Sequence, residues 1–344
     1  MRDEPRAPTG LPFDDIRHLI ATMPGPDADA EAAVRARDAE LTKPAGSLGR
    51  LEEIARWLAA WQGIHPPRVD RPLAAIFAAN HGIVDRGVSA FPQSVTRQML
   101  ENFAAGGAAV NQLCIVHDVG LKVFDLALDM PTPDFTAGDA LGEAECAATM
   151  AFGMEAIAGG TDLLALGEMG IGNTTVAAAI CHALYGGAPQ DWVGRGTGVD
   201  DQALARKVET VGAAVAHHSG HLSDPLEVLR RVGGREIAAI AGAILAARHQ
   251  RIPVLLDGYV VGAAAAVLHA MDATALDHCL AAHCSAEAPH RALLARLGKE
   301  PLLDLGMRLG EASGAVLAVG LVKAAASCHA GMATFAQAGV AGRG

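Results

Sequence analysis

The residues with most chemical potential in this chain are carboxylates set among glycines. Glu311 stands in Arg308-Leu-Gly-Glu-Ala-Ser-Gly314, between two glycines and just before a long apolar helical segment. The dipole of that helix favours the ionised carboxylate, whereas burial raises its pKa, so the position suits a group that takes up a proton. Capping of the helix is the simpler role for it. Glu168 has a second glycine setting, Thr161-Asp-Leu-Leu-Ala-Leu-Gly-Glu-Met-Gly-Ile-Gly-Asn-Thr-Thr-Val-Ala-Ala-Ala-Ile180. An apolar run too short for a helix, residues 163–166, leads into Gly167, Gly170 and Gly172, and Thr174 and Thr175 open an alanine-rich segment. The pattern reads as strand, glycine turn and helix start. Glycine lets a backbone approach its ligand closely, and the free N–H groups of a helix start attract an anion such as phosphate. A carboxylate beside a phosphate repels it, so Glu168 is expected to serve another part of the ligand, such as a ribose hydroxyl. The Gly-x-x-Gly-x-Gly spacing matches neither the dinucleotide fingerprint nor the P-loop.

Lys207 follows Gly194-Arg-Gly-Thr-Gly198 in a helical segment, where its ammonium either meets a phosphate or pairs with Glu209 or Asp201. Asp257 directly follows Pro253-Val-Leu-Leu256 and reads as a ligand contact or as the cap of the next helix. Lys43 and Arg50 flank an ordered loop that can reach an anionic ligand, with surface charge as the plainer reading. His217 and His221 have the i, i+4 spacing that binds metal on a helix. No acidic or cysteine ligand stands near them before Asp224, and Gly220 weakens the helix, so a solvated helix end is expected. No serine nucleophile elbow is readable.

The elements that position these residues follow from composition and periodicity. Apolar residues make up 51% of the 344 and aromatics only 4%, so the core is built from Ala, Val and Leu, and its helices pack closely. From Pro72 onward, short apolar runs at residues 73–79, 120–126, 162–166, 192–193, 252–256 and 277–283 are each followed by a turn. Helical segments such as 94–111, 203–216 and 234–248 lie between them. The alternation predicts an α/β fold with a doubly wound, mainly parallel, Rossmann-like sheet, whose ligands sit at the carboxyl ends of the strands. Asn80, His81, Glu168, Asn173, Arg195, Asp257 and Ser285 fall at those ends. Residues 1–69 read as helical (14–23, 30–41, 51–61), as do residues 301–344 (302–309, 315–334). The two terminal sections are expected to form a small domain against a large nucleotide-binding domain at 70–300.

A formal charge of −11 argues against nucleic acid or an anionic membrane as partner. Residues 1–8 carry charges and prolines where a secretion signal has its apolar segment. Six cysteines without a C-x-x-C pair fit reduced thiols in the cytoplasm. The apolar stretches 254–271 and 312–326 contain Asp257 and Lys323 and are short for a bilayer span, so buried elements are expected.

Lys43-Pro-Ala-Gly-Ser-Leu-Gly-Arg-Leu-Glu52, His81-Gly82, Gly167-Glu-Met-Gly-Ile-Gly-Asn-Thr-Thr175, Leu255-Leu-Asp-Gly258, His283-Cys-Ser-Ala-Glu287 and Met307-Arg-Leu-Gly-Glu-Ala-Ser-Gly314 span nearly the whole chain. In that order they resemble the nicotinate-nucleotide–dimethylbenzimidazole phosphoribosyltransferase family, which makes α-ribazole phosphate for the lower ligand of cobalamin. The resemblance implies transfer of the phosphoribosyl group of nicotinate mononucleotide to 5,6-dimethylbenzimidazole. Glu311 would be the general base. Phe91, Met99 and Leu309 would line the ring face of the site. Glu168, Gly170, Asn173, Gly196, Lys207, Asp257, Gly258 and Ser285 would hold phosphate and ribose, with Arg308 and His81 nearby. No metal and no cofactor are implied, and a homodimer with sites close to its interface is. Two departures bear on the acceptor: Asn80 stands where familiar members have Asp before His-Gly, and Phe91 stands where some have Ser before Pro. Transfer to another purine-like or phenolic base, and a nucleotide sensor without turnover, are the alternatives.

Overall fold

The computed structural model describes residues 10–341, so the charged and proline-containing start at residues 1–8 lies outside the described residues. Five parallel strands form one sheet: β1 (Pro72–Ala78), β2 (Gly120–Asp125), β3 (Leu163–Met169), β4 (Val254–Leu256) and β5 (Cys279–Ala281). Their spatial order is β2-β1-β3-β4-β5. This is a doubly wound order whose winding reverses between β1 and β3, the place where such sheets leave a crevice for ligands. β3 and β4 are buried at every residue and β1 at all but one, which is why they read as continuous apolar runs rather than alternating ones.

Helices cover both faces. Glu143–Met154, Asn173–Tyr185, Arg235–His249 and Tyr259–Met271 bury one face. Arg50–Gln62, Ala109–His117 and Ser313–Gly331 bury the other. The alanine and glycine content has a direct packing cause. A β-carbon at Gly153 or Gly242 would stand 1.9 Å from the carbonyl oxygen of Ala239 or Met150, so the helices Glu143–Met154 and Arg235–His249 touch backbone to backbone.

The terminal helical sections do meet. The Arg37 guanidinium donates to the carbonyls of His329, Ala330 and Met332, and Leu41 bridges to Thr334. The apolar residues of Arg50–Gln62 and Ser313–Gly331 share one core with β1 and β3 on one face of the sheet, whereas Phe13, Ile16 and Ile20 pack into the core on the other face. Helix Ser313–Gly331 is long and apolar enough to cross a bilayer, but half of it is buried in this layer.

Four expectations are corrected. Residues 192–193 form no strand: Trp192 follows a 3-10 turn at Pro189–Asp191 and is held by its indole N–H to Gly186 O and by the Tyr259 hydroxyl donating to its carbonyl. Two apolar residues serve there as a plug. Residues 302–309 form no helix, because their backbone groups pair sideways, Leu303 N with Ala282 O, Cys284 N with Leu303 O and Ala286 N with Met307 O. The helical stretch 94–111 breaks at Gly106 and Gly107 into Ser94–Ala104 and Ala109–His117. Finally, Gly167 and Glu168 belong to β3 and not to the turn after it, since they pair with Ile76 and Phe77 of β1.

Candidate active site

A cavity of about 360 Å³ opens at the carboxyl ends of the strands. Phe91, Val95 and Met99 come to it from the segment after β1, and Glu168, Gly170 and Asn173 from the end of β3. Gly258, Tyr259 and Val260 follow β4, Ser285 and Glu287 follow β5, and the turn Arg308–Glu311 closes one side. Polar and glycine residues gather where these strands end because the chain there faces the cavity rather than the core.

The polar half is built from two helix starts. Asn173 and Thr174 open Asn173–Tyr185, while Tyr259 and Val260 open Tyr259–Met271 behind Gly258. Their unpaired N–H groups and positive dipole ends make a site for an anion. Lys207, 1% exposed, stands behind this wall, its Nζ donating to Thr174 Oγ1 and Gly194 O, each at 2.9 Å. Burial pulls its pKa down to about 8, against the opposing pull of Glu287. The Glu287 carboxylate accepts the Gly196 N–H at 3.0 and 3.1 Å, and Arg308 Nη1 donates to Gly196 O at 2.9 Å, so the glycine loop is pinned from both sides.

The apolar half is a slot of Phe91, Val95, Met99, Met169, Ile171 and Leu309. Phe91 and Leu309 remain 47% and 55% exposed at its rim. Between the halves stand Glu168 and Glu311. Glu311, 6% exposed, has φ of +59° and is followed by Ala312 with φ of +59°, a left-handed pair that costs about 1–2 kcal/mol per residue. Burial, and then the charge of Asp257, raise the Glu311 pKa to about 7. The Glu168 carboxyl is pushed well above its ordinary range, first by burial and then by Glu236, Asp257 and Glu311, although Asn173 Nδ2 donates to it. One carboxyl therefore titrates near neutrality while its neighbour favours the protonated, hydrogen-bond-donating form.

Three expected contacts stand behind the wall rather than in it, and Lys207 is the first. His81 is fully buried beneath Gly170, with Nε2 2.9 Å from Glu236 Oε1 and Nδ1 3.4 Å from Thr132 Oγ1. Asp257 neither lines the cavity nor caps the helix that follows it: Oδ1 accepts the Ala315 N–H at 2.8 Å, in the first turn of Ser313–Gly331. The remaining predicted residues, Phe91, Met99, Glu168, Gly170, Asn173, Gly196, Gly258, Ser285, Arg308, Leu309 and Glu311, all line the cavity.

Lys43 and Arg50 do not reach it. Lys43 is buried against Asp38 and Glu52, at 2.9 and 2.8 Å, and Arg50 donates to Pro301 O and Glu300 O. Arg195 turns away to Asp201 and Val199 O. His217 and His221 are exposed, as expected of a solvated helix end, while His218 beside them is buried, its Nε2 2.9 Å from Phe135 O. Among the described residues no group of three or more His, Cys, Asp or Glu side chains is placed to hold a metal. Tyr259, Val260 and Glu287 were not anticipated; their signal was adjacency, since each lies within two residues of a predicted contact.

A family model described as phosphoribosyltransferase matches residues 23–340. The nicotinate-nucleotide–dimethylbenzimidazole phosphoribosyltransferase of Rhizobium etli (strain CIAT 652) is 68% identical over 97% of this chain and 99% of its own. The protein of that name from Methylocella silvestris is 69% identical over 96% of this chain and 97% of its own. The crystal structure of the Thermus thermophilus phosphoribosyltransferase of the same name superposes with a TM-score of 0.85 at 43% identity, over 92% of this chain and 100% of that one. Sequence, sheet order and cavity lead to one assignment: the chain belongs to the nicotinate-nucleotide–dimethylbenzimidazole phosphoribosyltransferase family.

Proposed function

We propose that this protein transfers the phosphoribosyl group of nicotinate mononucleotide to 5,6-dimethylbenzimidazole, giving α-ribazole 5′-phosphate and nicotinate. The observation that carries the reading is Glu311, a carboxyl that titrates at about 7 and stands next to Leu309, where the apolar slot meets the anion-binding helix starts.

The phosphate sits on the starts of Asn173–Tyr185 and Tyr259–Met271, with Lys207 behind them and Ser285 beside them. Glu168 and Asn173 meet the ribose, Glu168 as a donor. The flat acceptor lies in the slot between Phe91, Met99 and Leu309. One ring nitrogen of the benzimidazole gives its lone pair to C1′ as the C1′–N bond of the pyridinium breaks. That electron pair returns to the pyridine nitrogen, so nicotinate leaves without a proton. The other benzimidazole nitrogen must shed one, and Glu311 takes it. A single base suffices, unlike the paired carboxylates of glycoside hydrolysis.

The apolar rim formed by Phe91 and Leu309 supports a homodimer in which a second copy covers the mouth of the slot. Six free thiols, five of them buried, support a reducing, cytoplasmic setting.

The test is to incubate the protein with nicotinate mononucleotide and a panel of flat acceptors and to measure nicotinate. Release that depends on 5,6-dimethylbenzimidazole supports the assignment. Faster release with a purine or phenol moves the acceptor to that class, and nucleotide binding without release makes the protein a sensor.

A further inference from the structure

The turn that carries Glu311 has three successive residues with positive φ, Gly310 at +80°, Glu311 at +59° and Ala312 at +59°, after which the chain enters helix at Ser313. A left-handed residue followed by right-handed ones points successive N–H groups into a common concavity, and a helix start adds its dipole. Such a concavity holds an anion. Here the occupant is a side chain of the same protein: Asp257 accepts the Ala315 N–H at 2.8 Å, and the Gly314 and Ala312 N–H groups pull on the same carboxylate.

We propose that Asp257 is the positioning residue for the general base, its carboxylate filling this concavity so as to hold the turn that aims Glu311 into the cavity. The inference rests on the assignment of Glu311 as that base. Asp257 itself is about 1% exposed, does not line the cavity, and leaves Oδ2 without a hydrogen bond. It is placed to act through Glu311 and not on substrate.

Its charge has a second consequence. Burial pushes the Asp257 carboxyl up, but His283 Nε2 at 3.5 Å and the backbone donors pull it back. No protein donor among the hydrogen bonds of the described residues reaches the Glu311 carboxylate. Of two buried carboxyls that repel each other, the one with donors keeps the charge and the other keeps the proton. Asp257 therefore makes Glu311 the stronger base. The other charged groups around the pair are Glu168 on β3 with Glu236 beyond it, His283 after β5, and Glu287 and Arg308 on the cavity wall. Glu168 and His283 also feel the Asp257 charge and respond to its loss, so the readout is the Glu311 carboxyl itself.

Two variants separate grip from charge. Asp257→Asn keeps an oxygen for the Ala315 N–H and loses the charge, whereas Asp257→Ala loses both. The Glu311 carboxyl is titrated by ¹³C NMR of glutamate-labelled protein, assigned with Glu311→Gln, alongside the pH profile of kcat and the dissociation constant of nicotinate mononucleotide. In Asp257→Asn, the Glu311 titration and the acid limb of kcat are expected to move together to lower pH, with nucleotide affinity unchanged. In Asp257→Ala, kcat is expected to fall on the order of 10²-fold, the usual scale for a displaced catalytic group. A folded Asp257→Ala protein with unaltered kcat overturns the positioning, and a folded Asp257→Asn protein whose Glu311 titration stays in place overturns the charge effect. That readout needs no turnover, so an inactive wild type would count against the proposed reaction and not against this inference.

Discussion

The α-carbon of Gly167 lies so close to the backbone of Ala312 that a β-carbon on it would stand 2.2 Å from the Ala312 nitrogen. β3 cannot yield at that point, because Gly167 is paired with Ile76 of β1 in the middle of the sheet. The turn carrying Glu311 therefore rests directly on strand backbone, and only a residue without a side chain permits it.

Gly167→Ala is accordingly expected to push the turn outward. Forcing an extra methyl into a close-packed site costs about 1–3 kcal/mol, read as a lower midpoint of denaturation. The displaced base should lose on the order of 10²-fold in kcat. Unchanged kinetics would show that the turn tolerates the shift.

Glu311→Gln should lower kcat by about 10²–10⁴-fold while the dissociation constant of nicotinate mononucleotide stays close to that of the unaltered protein. The pH dependence has a defined sign. The proposed base, Glu311, can accept a proton only when deprotonated, and its pKa is raised to about 7, so kcat should climb as pH rises through that value and flatten above it. A profile with no limb near neutrality would dissociate Glu311 from the proton transfer.

Lys207→Ala removes the one buried ammonium found at the anion site among the described residues. The ammonium acts from behind the wall, through the Thr174 hydroxyl and the helix start that it holds, so nucleotide affinity should fall roughly 10-fold by calorimetry. Because the pKa of Lys207 is lowered to about 8, its charge is present below that pH and lost above it. Nucleotide binding by the unaltered protein should therefore weaken as pH rises past 8, and the variant should lack that dependence.

His81→Ala should act on stability. It leaves the Glu236 carboxylate, fully buried and 2.9 Å from His81 Nε2, without its partner. Leaving a buried polar group without its hydrogen-bond partner costs about 1–3 kcal/mol, measurable by urea denaturation. Weakened nucleotide binding at unchanged stability would return His81 to the ligand site.

Leu309→Ala tests the slot. Losing a side chain that covers a flat acceptor forfeits roughly 1.5 kcal/mol, about a tenfold rise in the KM for the acceptor, with kcat little altered. An unaltered KM would place the acceptor away from Leu309.

The alternation of buried apolar runs and helices was legible because a parallel sheet covered on both faces needs side chains of one kind along each strand. The site was legible for a related reason. Of the residues expected at the strand ends, Glu168, Asn173 and Ser285 line the cavity, whereas Asn80, His81, Arg195 and Asp257 turn to other partners, and Gly258 came from the family resemblance. The misplaced elements share one cause. Residues 192–193 and 302–309 are apolar because they pack, with their backbone partners far away in sequence, and no periodicity encodes such partners.

The chain by itself determined that Glu311, Glu168 and Lys207 stand beside glycine turns and that the fold alternates strand with helix, since both are local properties of residue order. Only the tertiary structure decided what these groups do. Lys207 and Asp257 are drawn behind the cavity wall, and His81 pairs with a glutamate 155 residues away. Proton affinities follow burial and neighbouring charge, which depend on elements distant in sequence. The Glu311 carboxyl is thus carried up to about 7 by the fold packed around it, and by an aspartate that linear order assigns to a different helix.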